Sequence, residues 1–359
     1  MNPLIINGRF LKQALSGVQR FSHEILSAID NQILNYNFSQ AVVCAPKGAR
    51  LDGLKNIRLH EIGHVTGSAT GYLWEQTCLL QYSAGGKLLN LGNTSPFKLG
   101  KNNCTVIHDA SVFDVPESYS KKFRLYYQLN HKILGRFGVK IATVSNFSRE
   151  RLSKHIRSQG GEIKNISEGG EHILRFPSDD SVLKSYNLDQ FKYFLVVGAN
   201  ARHKNLAVVY DAIKKRGDNN LKIVVTGNVE RPQFSSFRRE GLRNICYVGQ
   251  VNEPQLRGLY ENATALIFPS YYEGFGLPPL EAMYCGCPVI AAKTPSVTEV
   301  VGNAGVWFEP NSSIELLNLM AKINSDTSLR LQMAKSGRMQ SLEYTWDKAA
   351  KKLLKFIQE

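Results

Sequence analysis

Short runs of aliphatic and β-branched residues alternate with longer amphipathic segments along the whole chain, and this alternation constrains the fold more than any other feature. Near-continuous apolar strands separated by helices indicate parallel sheets that are covered by helices on both faces. Ten such runs occur, at residues 4–6, 41–44, 87–91, 105–109, 140–145, 193–198, 221–227, 245–249, 264–270 and 287–292. Helical segments such as 17–30 and 118–136 lie between them. We therefore predict an α/β fold made of doubly wound parallel sheets.

The predicted strands fall into two series, separated near LRFPSDDS at residues 174–181. A chain of 359 residues also exceeds the length at which one hydrophobic core keeps growing. We predict a first domain at residues 1–177 and a second at 178–344, followed by a basic amphipathic helix at 345–359 that packs back on the first domain. The ligand is then expected in a deep cleft between the domains, near the carboxyl ends of the strands.

The net charge of +14 is concentrated in the first half, where 22 Lys and Arg stand against 12 Asp and Glu up to residue 177, compared with 22 against 18 after it. Such an excess predicts an anionic partner: nucleic acid, a phosphorylated substrate or a membrane surface. The N-terminal residues do not resemble a secretory signal, and no apolar run is long enough to span a membrane. A cytoplasmic protein is expected.

Metal and nucleic-acid sites are not expected from the sequence. The six cysteines include no CxxC pair, and no RNA-recognition motif is present. No D-x-D pair occurs either; Asp179 and Asp180 are adjacent, so their side chains diverge in an extended segment. We therefore expect no metal cofactor and no nucleic-acid partner.

The most informative stretch is YYEGFGLPPLEAM at residues 271–283, which follows a predicted strand and begins a short helix. Because prolines favour the first helical turn, the backbone amides of residues 274–276 are expected at a helix N-terminus, which favours phosphate or sugar oxygens. Glu273 precedes this turn and Glu281 lies inside the helix. Carboxylates accept hydrogen bonds from vicinal hydroxyls, so one is suited to a transferred sugar and the other to a ribose. The structural alternatives are that Glu273 is only a solvated loop charge and that Glu281 only interacts favourably with the dipole of its helix.

This stretch resembles the E-x7-E motif of retaining glycosyltransferases of family 4, which have the GT-B architecture of two Rossmann-like domains. The similarity covers FPSYYEGFGLPPLEAMYCGCPVIA (268–291). Further segments resemble the branch that builds bacterial surface polysaccharides: NGRFLKQALSGVQRFSHEIL (7–26), LLNLGNTSP (88–96), VIHDASVFDVPESYSKKFR (106–124), ATVSNFSRERL (142–152) and VVGANARHKNL (196–206). The resemblance therefore spans most of the chain and implies the GT-B fold, in which the first domain, 1–177, binds the acceptor and the second, 178–344, binds the nucleotide sugar.

The resemblance also implies a set of residues that bind the donor, and Lys204 matches the lysine that holds the leaving nucleoside diphosphate. Two cations at the start of a helix can neutralise a diphosphate. Some family members have an arginine directly after the glycine of this segment, where this chain has Ala199, and Arg202 is expected to compensate. The full set of expected donor-binding residues is Gly17, Arg202, Lys204, Glu273, Gly274, Phe275, Gly276, Leu277 and Glu281.

His108 and Asp109 end a predicted strand of the first domain. A lone histidine is usually structural, but the resemblance implies that His108 hydrogen bonds to the donor sugar. Asp109 is expected to orient this histidine or to contact the acceptor hydroxyl. With Lys204 and Glu273, these two residues form the predicted catalytic set. Gly17 is expected to let a loop close on the ligand, and Arg20 to reach an anionic group or to form a surface salt bridge.

The segment KKFRLYYQLNHKILGRFGVK at 121–140 combines basic and aromatic side chains. It is expected either to bind anionic lipid, with Lys121, Lys122 and Arg124 as contacts, or to pack as an ordinary helix on its sheet. Lipid binding would place the protein on the inner face of the cytoplasmic membrane.

Together these observations predict a metal-independent retaining hexosyltransferase of O-antigen, lipopolysaccharide or capsule synthesis. The expected acceptor is a polyprenyl-diphosphate-linked glycan, and GDP-mannose is the preferred donor. A transferase using dTDP-rhamnose, GDP-rhamnose or a UDP-sugar is the main alternative. A GT-B epimerase, a dinucleotide oxidoreductase and a non-catalytic binding module fit less well, since the E-x7-E stretch is not typical of an epimerase, no G-x-G-x-x-G follows a strand, and the site groups are all present.

Overall fold

The computed structural model describes residues 2–159, 161–198, 202–216, 222–227 and 244–359. The chain forms two compact units, Met1–Gly169 with Trp346–Glu359, and Gly170–Thr345. This division comes after Gly169, whereas the sequence analysis places it after residue 177. The difference arises because Gly170 and His172 pack within the second unit: a Cβ on Gly170 would lie 2.6 Å from Leu280, and His172 contacts Glu281.

The first unit is built on a seven-stranded sheet with the order β3-β2-β1-β4-β5-β6-β7, in which every pairing is parallel. Its strands are β1 (Leu4–Asn7), β2 (Ala41–Ala45), β3 (Arg58–Glu61), β4 (Lys87–Asn90), β5 (Cys104–Val106), β6 (Lys140–Thr143) and β7 (Lys164–Asn165). The buried central strands were predicted from their apolar runs. The edge strands β3 and β7 were missed because they are largely exposed and polar.

Helices on both faces cover this sheet. They are α1 (Gly17–Gln32), α2 (Ser68–Trp74), α3 (Leu80–Tyr82), α4 (Ser111–Asp114), α5 (Lys121–Arg136) and α6 (Asn146–His155). A π-helix at Glu75–Leu79 joins α2 to α3, and 3-10 turns occupy Arg9–Lys12, Ile33–Asn35 and Pro116–Ser118. The side chain of Ser120 caps α5 by accepting a hydrogen bond from the amide of Phe123.

The second unit is built on a six-stranded parallel sheet with the order β10-β9-β8-β11-β12-β13. Its strands are β8 (Tyr193–Val197), β9 (Lys222–Thr226), β10 (Ile245–Gly249), β11 (Ala265–Phe268), β12 (Val289–Ala292) and β13 (Val306–Phe308). The half-exposed edge strand β13 was not predicted. Its helices are α7 (Ser181–Ser185), α8 (Leu206–Arg216), α9 (Glu253–Asn262), α10 (Leu277–Tyr284), α11 (Pro295–Val301), α12 (Ser313–Ser325) and α13 (Thr327–Ser341), with 3-10 turns at Glu171–Leu174, Arg202–Lys204 and Gly302–Ala304.

The C-terminal helix α14 (Trp346–Gln358) belongs to the first unit, where it packs against α1. The ring centroids of Trp346 and Phe21 lie 5.7 Å apart, and Lys87 Nζ donates a hydrogen bond to the carbonyl of Ile357 at 2.8 Å. The apolar face of α14, which includes Leu353 and Leu354, is buried.

Each sheet has one point at which the strand order reverses. In the first unit the chain runs outward from β1 through β2 to β3 and returns to β4 beside β1; in the second it runs from β8 through β9 to β10 and returns to β11 beside β8. Ligands of open parallel sheets bind outside the carboxyl ends of the strands at such switch points. The loops after β1, β4, β8 and β11 are therefore where functional groups are expected.

Candidate functional site

An ion pair spans the switch point of the second sheet. Lys204, which follows β8, places its Nζ 2.7 Å from Oε1 of Glu273, which follows β11. The two side chains are 22% and 14% exposed, and the ammonium group also lies 5.4 Å from the ring centroid of Phe268. The amide of Tyr271 donates to the carbonyl of His203 at 3.0 Å, which joins the two loops. A cation and a carboxylate from separate motifs are thus brought together.

The turn after Glu273 has the backbone that its glycines predict. Gly276 has φ 118° and ψ 52°, a left-handed conformation that side chains disfavour, and it caps α10 at its N-terminus. Pro278 and Pro279 have no amide hydrogen, and Leu280 already donates to the carbonyl of Gly276. An anion at this helix end would therefore have to be bound by amides that precede Pro278.

The side chains of the turn serve mainly to fix it. Phe275 is buried, and its ring lies edge-on to Tyr344 with centroids 5.6 Å apart. Ser296 Oγ donates to the carbonyl of Glu273 at 2.7 Å. Leu277 is half-buried at the first position of α10. Because the Phe275 side chain is buried, that residue can contact a donor only through its backbone, a distinction that the motif alone does not make.

Two buried hydroxyls without hydrogen-bond partners lie beside the same switch point. Ser270 is two residues beyond the end of β11, and Thr294 is two residues beyond the end of the adjacent β12. Their residues are 1% and 4% exposed, and neither side-chain oxygen has a hydrogen-bond partner among the residues that the structure describes. Buried polar groups are nearly always paired, so two orphans at one sheet edge indicate a place for ligand oxygens. The sequence analysis missed both; a Ser or Thr directly after a buried strand was the available signal.

Glu281 is placed differently from the sequence expectation. It is 5% exposed, its Oε1 lies 3.0 Å from Nε2 of His172, and Oε2 accepts a hydrogen bond from the hydroxyl of Tyr260 at 3.0 Å. Burial, followed by the Glu281 charge, raises the pKa of Tyr260 well above its usual value, so this phenol stays a donor. Both carboxylate oxygens are engaged by the protein, so this geometry does not support a ribose contact; Glu281 instead ties α10 to α9 and to residues 171–174.

Arg202 begins the 3-10 turn Arg202–Lys204, two residues before the lysine of the ion pair, and it is exposed. Ala199, at which the chain departs from the family pattern, lies outside the described residues.

His108 lies two residues beyond the end of β5, which is shorter than the predicted strand, and it is also engaged by the protein. Its residue is 6% exposed, Nε2 lies 3.0 Å from the carbonyl oxygen of Leu91, and Nδ1 lies 3.5 Å from Oε1 of Glu168. The ring also contacts Phe21 edge-on at 4.6 Å. Because both ring nitrogens face protein acceptors, the expected hydrogen bond to a donor sugar gains no support. His108 instead connects the loop after β4 to the end of the first unit, and Glu168 was not singled out from the sequence.

Asp109 accepts a hydrogen bond from the amide of Ser111 at 2.7 Å and lines a cavity of about 320 Å³ in the first unit. The cavity lies at the switch point of this sheet, between residues that follow β1, such as Gln19, residues that follow β4, such as Asn93, and the side of α5 that carries Tyr127. His108 and Asp109, which were predicted to act together, thus lie in different surroundings. His108 contacts other protein groups through both ring nitrogens, whereas Asp109 lies in a cavity wall.

Arg9, one member of a buried ion pair that the sequence analysis did not single out, lines this cavity. Arg9 Nε is 3.3 Å from Oε1 of Glu75, both residues are almost fully buried, and the guanidinium group also lies 4.5 Å from the ring centroid of Tyr72. Asn7 and Thr94 donate to the same carboxylate at 2.7 and 3.0 Å. Burial raises the pKa of Glu75, although Arg9 opposes the shift.

The other predicted residues of the first unit lie at helix starts. Gly17 begins α1, and a Cβ there would meet no atom within 4 Å, so the fold itself does not require a glycine. Arg20 is half-buried in the same helix. Lys121 and Lys122 are exposed at the start of α5, and Arg124 is half-buried.

Within the described ranges, no cluster of three or more His, Cys, Asp or Glu side chains is arranged to hold a metal ion. None of the described helices combines the length and the apolar character needed to cross a membrane.

Comparison with known proteins places this geometry in a family. Residues 180–340 match the model "Glycosyl transferases group 1". The O-antigen chain mannosyltransferase B of Escherichia coli is 30% identical over 254 residues, which cover 68% of this chain and 66% of that protein. A Campylobacter jejuni N,N'-diacetylbacillosaminyl-diphospho-undecaprenol alpha-1,3-N-acetylgalactosaminyltransferase is 26% identical over 174 residues, covering 48% of this chain and 46% of that enzyme. The alignments thus span less than two thirds of either relative.

Among solved structures, Anabaena HepE in complex with UDP-glucose superposes with a TM-score of 0.75 at 14% identity, over 99% of this chain and all of HepE. This likeness concerns the fold, and it confirms the predicted GT-B architecture of two Rossmann-like parallel-sheet units. With the family match on the unit that carries Lys204 and Glu273, residues 180–340 of the chain form a group 1 glycosyl transferase domain.

Proposed function

We propose that the chain is a retaining glycosyltransferase that moves a hexose from a nucleoside diphosphate sugar to an acceptor hydroxyl. The observation that carries the proposal is the Lys204–Glu273 pair at the switch point of the second sheet, beside the Gly276 turn and the buried hydroxyls of Ser270 and Thr294. A cation, a carboxylate and free hydroxyls are the groups that a sugar diphosphate requires. Both the family match and the named relatives support this reading.

In the proposed reaction the bond between the anomeric carbon and the diphosphate oxygen breaks, and a bond to the acceptor oxygen forms on the same face of the sugar. Lys204 and Arg202 neutralise the negative charge that develops on the diphosphate, together with amides of residues 274–277. Such preorganised charge stabilisation is usually the largest contribution to catalysis. The departing phosphate oxygen takes the proton of the acceptor hydroxyl, so no protein nucleophile is required.

Glu273 holds Lys204 in place until the donor binds, and then accepts hydrogen bonds from sugar hydroxyls while the ammonium group turns to the diphosphate. Ser270 and Thr294 donate to phosphate or sugar oxygens. We assign positioning roles to Glu281 and His108: the first fixes the helix whose N-terminus faces the diphosphate, and the second fixes the loop after β4. Asp109 contacts the acceptor.

The proposed donor is GDP-mannose, which agrees with the mannosyltransferase name of the E. coli relative. The test is a thermal-shift panel of GDP, UDP and dTDP with their sugars, since a ligand that binds only the folded state raises the melting temperature. GDP and GDP-mannose are expected to raise it by several degrees, whereas indifference to every nucleotide would refute a donor site. A larger shift with dTDP or UDP would redirect the assignment to rhamnose or to a UDP-sugar.

Turnover with the preferred donor then tests the reaction class. NMR of the product is expected to show the donor's anomeric configuration, and inversion would exclude the retaining mechanism. Consumption of the donor without any acceptor, giving an epimeric sugar, would indicate an epimerase instead. Activity is expected to survive EDTA, because charge neutralisation is assigned to side chains; loss of activity that Mg²⁺ or Mn²⁺ restores would contradict metal independence.

We propose that the acceptor is a glycan linked to a polyprenyl diphosphate in surface-polysaccharide synthesis, as the name of the C. jejuni relative suggests. The chain would then work at the inner face of the cytoplasmic membrane. The outer side of α5 supports this, because Lys122, Leu125, Leu129, Lys132 and Arg136 are at least partly exposed and follow one another at helical spacing. Leu125 and Leu129 are 60% and 54% exposed, and the helix contains no acidic residue. Cations around exposed leucines suit an anionic bilayer surface.

Sedimentation with vesicles containing anionic lipid tests this surface. The wild type is expected to co-sediment at low salt and to be released at high salt, because a Debye length shrinks from about 30 Å at 0.01 M to about 3 Å at 1 M. The double variant Leu125→Glu/Leu129→Glu is expected to stay in the supernatant. The double variant Leu331→Glu/Met339→Glu, which changes equally exposed side chains of the second unit, is the control. If neither the wild type nor the control variant co-sediments with the vesicles at low salt, the proposed membrane binding is wrong.

A further inference from the structure

Tyr344 lies at the end of the second unit and contacts the loop that carries Glu273. It is the last residue but one of the segment Gly170–Thr345, and two positions later Trp346 begins the C-terminal helix of the first unit. Its ring, its hydroxyl and its backbone carbonyl each make a separate contact. All three contacts are with the turn after Glu273 or with the helices that adjoin this turn.

The ring of Tyr344 packs on the turn itself. It meets the ring of Phe275 edge-on, with centroids 5.6 Å apart and planes 74° from parallel. Two aromatic rings attract each other in this geometry. Phe275 is 4% exposed and lies between Gly274 and Gly276, and glycines leave the backbone more conformations than other residues do. The ring contact therefore restricts a turn whose own sequence permits several conformations.

The hydroxyl of Tyr344 contacts α11, the helix that holds the backbone of Glu273. It donates a hydrogen bond to the carbonyl of Glu299 in this helix at 2.8 Å. The same helix carries Ser296, whose Oγ donates to the carbonyl of Glu273 at 2.7 Å. Burial, followed by the charges of Glu299 and Glu343, raises the pKa of Tyr344, so this phenol keeps its proton and stays a donor. Tyr344 thus reaches Glu273 by a second route, through α11.

The backbone of Tyr344 is fixed by α10, the helix that begins directly after Gly276. The hydroxyl of Tyr284, the last residue of that helix, donates to the carbonyl of Tyr344 at 3.0 Å. Tyr284 is 8% exposed, and burial raises the pKa of its hydroxyl, so this phenol also stays protonated. Tyr344 therefore contacts the turn, the end of the helix that follows the turn, and the helix that holds Glu273.

We propose that Tyr344 is a positioning residue for the donor site, which acts on Glu273 through Phe275 and α11. The distance that these contacts maintain is the 2.7 Å between Glu273 Oε1 and Lys204 Nζ. A misplacement of about 1 Å in such a group can lower a rate about 100-fold. For its effect on turnover the inference rests on the proposed glycosyltransferase function, whereas the restriction of the turn is measurable without any ligand.

Hydrogen–deuterium exchange of the full chain without ligand tests the restriction of the turn. The amides of Tyr271 and Leu280, which donate to the carbonyls of His203 and Gly276, report on the two sides of the turn. In Tyr344→Leu they are expected to exchange about tenfold faster than in the wild type, because one aromatic contact and one hydrogen bond are lost.

The control for this measurement is Ile323→Ala, which creates a cavity in α12, in the core of the second unit. It should lower the melting temperature at least as much as Tyr344→Leu and leave the exchange of the two reporting amides unchanged, since the turn opens locally. If Tyr344→Leu does not fold, Tyr344→Phe and Tyr284→Phe decide. Each removes one hydroxyl, and each should speed the exchange about threefold. Exchange at the wild-type rate in the folded variants would overturn the inference.

Kinetics with the sugar nucleotide that the wild type prefers give a second readout. Tyr344→Leu is expected to lower kcat about tenfold to 100-fold and to leave the KM for the acceptor unchanged, as a misplaced Glu273 requires. Tyr344→Phe, which keeps the ring on Phe275, should recover kcat to within about threefold of the wild type. Ile323→Ala should leave kcat unchanged below its melting temperature.

A double variant tests whether Tyr344 acts through Phe275. Phe275→Leu removes the same ring contact from its other side, so Tyr344→Leu/Phe275→Leu should lose little more activity than Tyr344→Leu alone. Losses that multiply would overturn the assigned route, as would a normal kcat in Tyr344→Leu. A wild type that turns over no sugar nucleotide would instead defeat the proposed function, and the exchange rates of the turn would be unaffected by that result.

Discussion

The two units place their charges differently at equivalent points of their sheets. At the switch point of the second unit, Lys204 and Glu273 form a partly exposed ion pair at the loop ends, from which either side chain can turn to a ligand. At the switch point of the first unit, Arg9 and Glu75 are buried beneath the loops, and the other groups that line the cavity with Arg9 are mainly neutral. The comparison shows that the same topology places charge in two ways: a partly exposed ion pair at the loop ends of the second unit, and a fully buried ion pair among the cavity walls of the first.

The largest effect is expected from breaking the buried pair. Arg9→Met leaves the Glu75 carboxylate without its cation, and removal of one partner of a buried pair lowers the free energy of unfolding by about 3–5 kcal/mol. Urea denaturation measures this decrease in the free energy of unfolding. Lys12→Met, which removes an exposed cation from the same loop, should change stability by less than about 0.5 kcal/mol. The double variant Arg9→Met/Glu75→Gln should recover part of the loss, and a loss below about 1 kcal/mol in Arg9→Met would contradict the assigned structural role.

The exposed pair is expected to matter for turnover rather than for stability. Lys204→Met should lower kcat/KM about 100-fold, equivalent to about 2.7 kcal/mol of transition-state stabilisation, and should change the melting temperature little. Glu273→Gln should act in the same direction, because a neutral amide still accepts from sugar hydroxyls but no longer positions the ammonium group. Lys214→Met, which changes an exposed lysine of α8, is the control. Near-normal turnover of Lys204→Met would remove it from the mechanism.

The sequence predicts the backbone of the loop after β11 well, because there the signal is local. Gly276 needs a left-handed conformation and Pro278 favours a helix start, so the loop and helix after β11 follow from adjacent residues. The orientation of Glu281 could not be predicted in this way. It depends on Tyr260 and His172, which are 21 and 109 positions away in the chain, and only the tertiary fold brings them to the carboxylate. A motif thus predicts where a carboxylate lies in the chain, but it does not predict which groups the side chain contacts.

In the first unit the sequence left two roles open for α5; the structure shows packing on its inner side, and lipid binding by its outer side stays a proposal. The inner side buries Tyr127, His131 and Leu134 against the unit, whereas Leu125 and Leu129 are exposed. Composition could not separate the two roles because both require apolar residues at helical spacing. The hydrogen bond that His131 Nε2 donates is also invisible in the sequence, since its acceptor, the carbonyl of Asn93, lies 38 positions away.

The smallest expected effect is a pH dependence of stability that originates in the first unit's cavity. The pKa of His131 is about 4 in the folded chain because of burial, and about 6.5 when unfolded. As the pH falls, His131 is therefore protonated in the unfolded chain before it is protonated in the folded chain. The contribution of the neutral His131 to the free energy of unfolding is present above pH 6.5 and is lost as the pH decreases towards 4. Between pH 7 and pH 5 the group contributes a loss of about 2 kcal/mol. Burial lowers the pKa of His23 as well, so the quantity to measure is the difference between the wild type and His131→Phe.

Melting temperatures in a buffer series from pH 7.5 to 4.5 measure this difference. His131→Phe should show a shallower decrease than the wild type, and His60→Phe, which replaces an exposed ring, should follow the wild type. If the melting temperatures of all three proteins decrease in parallel with pH, His131 is not held neutral by burial. The contrast between a neutral cavity in the first unit and a charged site in the second would then not hold for that residue.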